Sequence, residues 1–233
     1  MNVRFHKTCL ALAVAVLCMV MLVGLLVRSQ ITANRARDLA ATIAGRKTSE
    51  LEPGLEQMQP LREHALPELQ RLFEDAADGS DGQLHLAIAR LHLGDPDEKL
   101  LPAVSQLALQ CRPEQLLPLG SLLERWKDRL SSEWKSTVRS EAETAGRRLQ
   151  AACLLAGWEA ATEEGEGTAW SDPKTAEFVA GQLVQQNPVF VGQYQDVLRP
   201  QAGRLKTPLA TLFADPQQGE VAKRIITGLL ADY

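Results

Sequence analysis

Residues 174–213, KTAEFVAGQLVQQNPVFVGQYQDVLRPQAGRLKTPLATLF, decide the fold. Apolar side chains recur every three or four positions, and Pro188 and Pro200 divide the stretch into pieces of helical length. This spacing places apolar side chains on one face of an α-helix, whereas a strand would alternate apolar and polar residues. The stretch therefore predicts amphipathic helices joined by proline-marked turns.

The same periodicity runs through most of the 233-residue chain, in segments 82–94, 98–109, 113–126 and 131–161, the last as one or two helices. Leu and Ala dominate an apolar fraction of 45%, and aromatic residues make up only 5%. Such residues form helices readily, and runs that alternate β-branched or aromatic residues with polar ones are missing. We predict an all-α chain whose helical hairpins stack as an irregular HEAT-like α-solenoid, with an irregular helical bundle as the alternative.

A possible repeat supports the solenoid. Three segments resemble one another in being rich first in Ala or Ile and then in Leu: residues 86–95, 151–160 and 224–233. Each could be the inner helix of a repeating pair, and solenoids are recognised by such periods. Because the last segment lacks the polar face of a terminal repeat, we expect the domain to continue in a longer protein or to dock on something else.

The N-terminal residues 8–27, TCLALAVAVLCMVMLVGLLV, contain no charge. As a helix they reach about 30 Å, the thickness of the hydrocarbon core of a bilayer. We predict an uncleaved transmembrane anchor in the lipid bilayer of the cell membrane. A removed secretory signal is the alternative, although such apolar cores are usually about 7–15 residues long. The one cleavage-like triplet, Ile31-Thr32-Ala33, begins with a large side chain.

The chain then divides into a tail at 1–7, the span at 8–27, a juxtamembrane helix or stalk at 28–47 and a repeat-like domain at 48–233. Basic residues on the two sides of the span nearly balance, so the positive-inside rule barely decides the orientation. A short tail before a long domain is typical of a single-pass signal anchor with its bulk outside the cytoplasm. All 29 acidic residues follow the span, and no Lys/Arg cluster suits a phosphate backbone, so nucleic acid is not an expected partner.

Three histidines follow the span, namely His64, His85 and His92. His85 and His92 are seven residues apart, whereas helical zinc sites prefer i, i+4 spacing with further ligands nearby. We expect surface or half-buried histidines, with no metal and no cofactor.

Two polar stretches contain parts of possible sites. Residues 77–82, ADGSDG, offer oxygens like those of a calcium loop, but the bidentate glutamate that closes such a loop is missing. We predict a turn there, with Ser80 or Asp81 capping the next helix. Residues 162–173, TEEGEGTAWSDP, form an acidic loop whose glutamates at 163, 164 and 166 have no apolar pocket to raise a pKa, so we expect them to be solvated.

The remaining residues of interest are cysteines and tryptophans. Cys111 and Cys153 have no metal-ligand spacing, and we expect buried free thiols, with a bridge between them as the alternative in an exported domain. Trp170 stands in the acidic loop and is the candidate contact for a partner protein. Tryptophans in helical arrays more often fill gaps between helices, which is the expectation for the other three, at 126, 134 and 158.

The C-terminal part of the chain resembles a helical region of large bacterial membrane proteins. The features that carry the resemblance are Trp170, Phe178-Val179, Leu183-Val184, Asn187-Pro188, Leu198-Arg199-Pro200, Leu209 with Phe213, and the 229–233 segment. In those proteins a serine/threonine protein kinase domain or a short tail precedes a transmembrane helix. A helical repeat region follows and often leads to a domain like the formylglycine-generating enzyme. The resemblance implies an anchored helical spacer or interaction module, and no catalytic residue of either enzyme class has a counterpart here.

No motif of a nucleotide-binding loop, hydrolase, metalloprotease or kinase occurs in the sequence. We therefore expect a membrane-anchored helical scaffold that binds other proteins, with no catalytic activity and no small-molecule substrate. The alternatives are a non-catalytic part of a kinase or formylglycine-generating-enzyme-like protein, and a secreted helical binding protein after signal cleavage.

Overall fold

The computed structural model describes residues 2–160 and 167–233, and it describes side chains from residue 16 onward. Among these residues every regular element is helical, with twelve α-helices, five 3₁₀ turns and no strand, which confirms the predicted all-α class. The α-helices are α1 (Asn2–Gly45), α2 (Leu51–Met58), α3 (Arg62–Asp75), α4 (Asp81–His92), α5 (Leu100–Ala108), α6 (Leu116–Leu123), α7 (Lys127–Arg139), α8 (Ala145–Trp158), α9 (Pro173–Leu183), α10 (Pro188–Leu198), α11 (Ala202–Ala214) and α12 (Glu220–Asp232). The 3₁₀ turns are Thr48–Glu50, Gln59–Leu61, Pro113–Gln115, Glu124–Trp126 and Arg199–Gln201.

The N-terminal part of α1 extends away from the rest of the protein. Its large apolar side chains from Val16 to Ile31 are between 51% and 70% exposed. The helix is long and apolar enough to cross a membrane, and a cleavable signal sequence would have the same properties. The side chains of residues 8–15, which form the first part of the predicted span, lie outside the described residues.

The C-terminal part of α1 belongs to the globular domain. Ala36, Ala40 and Ile43 are at most 1% exposed, on a face that packs against α3 and α4. Their i, i+4, i+7 spacing gives the helix one apolar stripe, which a partner must cover. The stretch predicted as a juxtamembrane stalk is thus the first packed helix of the domain, continuous with the exposed apolar segment.

The same order of elements then occurs three times. A first helix is followed by a second, a 3₁₀ turn leads directly into a third, and a separate fourth helix completes the set. We call these sets unit 1 (residues 32–92), unit 2 (residues 100–158) and unit 3 (residues 173–232). The fourth helices are α4, α8 and α12, and each contains most of one of the three similar segments found in the sequence.

The turn between the second and third helices has nearly the same backbone in every unit. The residue that closes it has φ −107° and ψ 11° at Leu61, φ −110° and ψ 11° at Trp126, and φ −108° and ψ 12° at Gln201. These positions are separated by 65 residues (61 to 126) and 75 residues (126 to 201). Pro60 and Pro200 lack the N–H that an α-helical turn would use. The turn of unit 2 contains no proline, so packing between the helices must also favour this conformation.

The fourth helices of units 1 and 2 are the most buried elements of the protein. All residues from Leu84 to Arg90 of α4 and from Ala151 to Ala156 of α8 are buried. Their N-termini are capped in the same way, since Gln83 N–H donates to Ser80 Oγ (3.2 Å) and Arg147 N–H donates to Thr144 Oγ1 (3.3 Å). The predicted cap at Ser80 is thereby confirmed.

The tryptophans at 126, 134 and 158 lie between helices, as expected. Trp134 is fully buried and stacks on Trp158 with ring centroids 4.9 Å apart. Its indole N–H donates to Ser105 Oγ at 2.9 Å, and that of Trp158 donates to the carbonyl oxygen of Gly120 at 3.1 Å. Large side chains whose N–H groups find acceptors thus join α5, α6, α7 and α8.

Candidate functional site: a groove between α9 and α11

Trp170 lies just before α9 and is held by hydrogen bonds to two residues, Ala152 and Glu159. Its indole Nε1 donates to the carbonyl oxygen of Ala152 on α8 at 3.0 Å. Its backbone N–H donates to Glu159 Oε2 at 3.0 Å, and the N–H of Ala169 donates to Glu159 Oε1 at 3.1 Å. With 1% of its surface exposed, Trp170 is a buried side chain and not a free loop residue.

Glu159 closes the connection between units 2 and 3. Its carboxylate is nearly buried, and Lys135 Nζ lies 3.5 Å from it. Two N–H donors and an ammonium group offset the cost of burying the charge. Asp95, which follows the fourth helix of unit 1, plays a similar part, because it accepts from Arg90 Nε at 2.8 Å and from the N–H of Asp97 at 3.0 Å.

The start of α9 is fixed by local signals. Asp172 Oδ1 accepts from the N–H of Lys174 at 3.0 Å, and Pro173 occupies the first helical position. Ser171 Oγ donates to the carbonyl oxygen of Thr168 at 2.8 Å. A capping aspartate followed by proline favours a helix start at this residue, which sets the position of α9 relative to Trp170.

Between α9 and α11 lies a groove of about 410 Å³. Its lining comes from the turn before α9, from the first turns of α9 and from one face of α11: Trp170, Ser171, Pro173, Ala176, Glu177, Arg204, Thr207, Pro208, Thr211 and Leu212. Glu177 and Arg204 are exposed, so the charges lie at the rim, and the nearly buried Trp170 and Ala176 form the floor.

This lining favours binding over chemistry. Its polar groups are hydroxyls, one carboxylate and one guanidinium, without a histidine or cysteine to act as nucleophile or base. The volume is within the range of about 300–1,000 Å³ typical of ligand pockets, and apolar walls with a few polar groups are their usual composition. The groove can accept an apolar side chain of a partner, with one charge of each sign beside it to fix the orientation.

A second cavity, of about 550 Å³, lies between units 1 and 2 beside His85. His85 is 1% exposed, so the prediction of a surface or half-buried histidine is wrong for this residue. His92, in contrast, is half-buried as predicted. His85 Nε2 takes part in a chain of hydrogen bonds, whereas His85 Nδ1 is buried without a hydrogen-bond partner among the described residues.

The chain of hydrogen bonds runs from unit 2 into unit 1. The N–H of Arg112 donates to Gln115 Oε1 (2.7 Å), and Gln115 Nε2 donates to Thr48 Oγ1 (3.0 Å). Thr48 Oγ1 lies 2.9 Å from His85 Nε2 and forms a hydrogen bond with it, in which the tautomer of the imidazole decides which atom donates. The side chain of Thr48 caps no helix, although Thr48 begins the 3₁₀ turn before α2. Burial lowers the pKa of His85, although Asp81 and the carbonyl groups of Ala44 and Ile43 favour protonation.

The charges around this cavity compensate one another. The Arg112 guanidinium pairs with Asp81 and with Glu114, the latter at 3.1 Å. Arg46 Nη1 donates to the carbonyl oxygen of Glu50 at 3.4 Å. The Arg112–Asp81 pair thus joins units 1 and 2 beside this cavity, and the groove beside Trp170 is the better candidate for binding a protein.

The cysteines and the acidic stretches complete the survey of predicted sites. Cys111 and Cys153 are free and buried, so the prediction of buried thiols is confirmed over a bridge. In the part of the chain that the structure describes, no group of three or more His, Cys, Asp or Glu side chains could hold a metal ion. The glutamates at 163, 164 and 166, with most of the acidic loop, lie outside the described residues.

Sequence reasoning did not find Glu159 or the Thr48–His85–Gln115 network. The sequence contained a signal only for Glu159: an acidic residue, Asp95, stands at the corresponding position after the fourth helix of unit 1.

Comparison with known proteins identifies no relative: no protein-family model matches the chain, and no curated protein or solved structure is significantly similar to it.

Proposed function

We propose that the protein is a single-pass, membrane-anchored α-helical scaffold that binds other proteins through its three-unit domain. The continuous α1 is the observation that carries the proposal. One helix contains both the exposed apolar segment and the buried stripe Ala36, Ala40 and Ile43. A domain built directly onto such a helix is held close to the membrane surface.

The repeated units suit the same role. Stacked helical hairpins of HEAT-like character extend in one direction and offer long surfaces to partners. The groove beside Trp170 gives this surface a site for an apolar side chain. The resemblance to proteins with kinase or formylglycine-generating-enzyme-like domains agrees with a spacer or interaction module, and remains a prediction.

Membrane anchoring is tested by alkaline carbonate extraction of the full-length protein. The variant Leu17→Lys/Val20→Lys places two charges in the apolar segment, each costing about 2.5–3.5 kcal/mol near the middle of a membrane helix. We expect the wild type to stay with the membrane pellet and this variant to be largely released. The control Leu117→Lys/Val189→Lys changes two equally exposed apolar residues of the domain and should remain in the pellet. Release of the wild type would contradict the anchor.

Sequencing the N-terminus of the purified protein decides between anchor and signal. An intact N-terminus supports the anchor, whereas a mature chain that begins at Asn34, after Ile31-Thr32-Ala33, would make the protein a secreted one.

The orientation is tested by thiol labelling of intact cells. Because Cys111 and Cys153 are buried, a variant with Cys9 and Cys18 changed to Ala and with Ser121→Cys carries one accessible thiol. A membrane-impermeant maleimide should label it without permeabilisation. An Asn2→Cys variant of the same background should be labelled only after permeabilisation. The opposite pattern would place the domain in the cytoplasm.

Binding in the groove is tested by site-specific photo-crosslinking in the native membrane. A benzophenone side chain at Thr207 should form a defined adduct with a partner protein. The same group at Ser132, the exposed residue at the corresponding position of α7, should form none. Equal adducts from both positions would show that the groove has no special role.

A further inference from the structure

The cavity beside His85 is built from three segments that are distant in the sequence. Residues 44–49 contribute the end of α1 and the turn after it, Asp81 and His85 stand near the start of α4, and the stretch 112–115 leads into α6. The volume of about 550 Å³ is within the range of about 300–1,000 Å³ that is typical of ligand pockets. The sequence predicted no small-molecule substrate, and no local pattern joins these three segments.

The charges that line this cavity do not cancel. Arg112 is neutralised, because it pairs with both carboxylates of the lining, Asp81 and Glu114. Arg46 and Lys47 also line the cavity, and neither forms an ion pair with a carboxylate among the residues that the structure describes. Arg46 donates to a backbone carbonyl oxygen at 3.4 Å, which leaves its charge uncompensated. Two adjacent cations are thus available to an anion that enters the cavity.

The wall of the cavity also contains buried polar side chains. His85, Gln115 and Thr48 are 1%, 3% and 4% exposed, and all three line the cavity. His85 Nδ1 has no hydrogen-bond partner among the described residues, although the carbonyl groups of Ala44 and Ile43 lie near the ring. A buried polar atom without a partner is unfavourable, so a polar group of a ligand that reaches the imidazole gains a contact that the protein leaves open.

These features define the chemistry of the ligand. A phosphate monoester carries about 1.5–2 negative charges at pH 7, which matches two cations, whereas a carboxylate carries one. Arginine binds phosphate through two parallel hydrogen bonds, and lysine binds it as a point charge. The cavity also has room for an organic group beside the phosphate, and a hydroxyl of that group can form a hydrogen bond with His85 Nδ1.

A lipid headgroup does not reach this cavity in the proposed membrane-anchored state. The cavity lies at the end of α1, 18 residues beyond the predicted span (27 to 45), which is about 27 Å along the helix. The headgroup layer is only about 5–7 Å thick on each side of the hydrocarbon core. The ligand is therefore a water-soluble molecule, and only this step rests on the proposed function.

We propose that the cavity between units 1 and 2 binds a small, water-soluble phosphate monoester. Arg46 and Lys47 hold the phosphate, and a hydroxyl of the organic group bonds with His85. Because residues of both units line the cavity, the ligand also stabilises the packing of these units against each other. The scaffold thereby acquires a small-molecule ligand, in addition to the proteins that it is proposed to bind.

The test is isothermal titration calorimetry of the full-length protein in detergent micelles, with glycerol 3-phosphate as the probe and at constant ionic strength. We expect saturable binding of glycerol 3-phosphate, at least 3-fold weaker binding of inorganic phosphate and no binding of acetate. Arg46→Gln/Lys47→Gln removes the two cations and should weaken the binding of glycerol 3-phosphate at least 10-fold. Ser49→Trp, which fills the exposed side of the cavity without a change of charge, should have an effect of the same size.

The matched control is Lys223→Gln/Arg224→Gln on α12. These two residues are also adjacent, one half-buried and one exposed, and neither forms an ion pair with a carboxylate in the described part of the chain. The affinity of this variant should stay within 2-fold of the wild type. His85→Leu should remove the preference for glycerol 3-phosphate over inorganic phosphate, and circular dichroism should show equal helicity for all variants.

Absence of saturable binding to the wild type, or equal affinities of Arg46→Gln/Lys47→Gln and the control, would overturn the proposal. Acetate that binds as tightly as inorganic phosphate would overturn the choice of a phosphate ligand. Competition by micelles that contain phosphatidic acid would overturn the choice of a water-soluble one. Phosphate binding with release of the wild type by carbonate would reject the proposed anchor alone, and the reverse combination would reject only this inference.

Discussion

Replacement of His85 by Leu should make the stability of the protein less sensitive to acid. Burial lowers the pKa of His85 in the folded state below its ordinary value of 6.5. The unfolded chain therefore binds more protons than the folded one as the pH falls below about 6.5. The contribution of His85 to stability is complete above that pH and is lost as the pH falls toward the folded-state pKa.

The size of the effect follows from proton linkage. A histidine that titrates near pH 6.5 when unfolded and stays neutral when folded lowers the free energy of unfolding by at most about 1.4 kcal/mol between pH 7.5 and 5.5. The pKa of His92 is also lowered, chiefly by burial, so the wild type has a second contribution that His85→Leu retains. Carboxylates titrate mainly below pH 5.5. Between pH 7.5 and 5.5, the histidines are therefore the main source of the pH dependence of the free energy of unfolding.

Urea unfolding of the full-length protein in mild detergent, followed by circular dichroism at pH 7.5, 6.5 and 5.5, measures the effect. The variant also removes the hydrogen bond between Thr48 Oγ1 and the imidazole, but the loss of the neutral imidazole's bond is the same at each pH. Unit 2 has Leu149 at the position of His85, so a leucine fits this place in the fold. The stability difference between wild type and variant should shift by about 1 kcal/mol across the window. A constant stability difference between wild type and His85→Leu across the three pH values would refute the reasoning.

Three further outcomes are expected. Ser105→Ala removes the acceptor of the buried Trp134 N–H, so the free energy of unfolding in urea should fall by about 1–3 kcal/mol, and an unchanged midpoint would contradict that hydrogen bond. Glu159→Gln replaces a charged acceptor of two backbone N–H groups by a neutral one, so hydrogen exchange of the amides of residues 169 and 170 should accelerate at least 10-fold. Equal exchange rates in wild type and variant would show that the carboxylate does not hold this turn. Burial raises the pKa of Cys111 to about 12 and raises that of Cys153 further. Both thiols should therefore resist labelling by a maleimide at pH 8 until denaturant is added. Rapid labelling of the native protein would disprove their burial.

The parts of the fold that the sequence predicted are those with local signals. Asn187 and Pro188, which are adjacent in the sequence, mark the start of α10. Gly94 follows α4, the fourth helix of unit 1, and has a φ of +74°, which favours glycine. Capping side chains and residues with special backbone preferences act over one turn, so the sequence alone displays them. The three segments that resemble one another could be found for the same reason, since most of each lies within a single helix.

The parts that the sequence did not predict depend on distant residues. Residues 113–126 were expected to form one helix, but the Glu124–Trp126 turn interrupts it without proline or glycine. The surroundings of His85 include Thr48, 37 residues away along the chain, and Thr48 in turn accepts a hydrogen bond from Gln115, which is 67 residues from Thr48. Only packing brings such groups together, and no local pattern records it. The groove beside Trp170 could be anticipated only as a tryptophan in a loop, because its second wall comes from α11.

The continuity of α1 also has a mechanical meaning. A continuous helix transmits tilt and rotation along its whole length. The packed domain would therefore tilt and rotate together with the exposed apolar segment. From Val27 to Gly45 the helix runs about 27 Å, and a tilt of about 20° would swing its end sideways by about 9 Å. One residue inserted into the exposed stretch near Ile31 would rotate the domain by about 100° and change which surface it turns toward its neighbours. In the proposed membrane-anchored state, the thickness of the bilayer would therefore set the direction in which the domain faces.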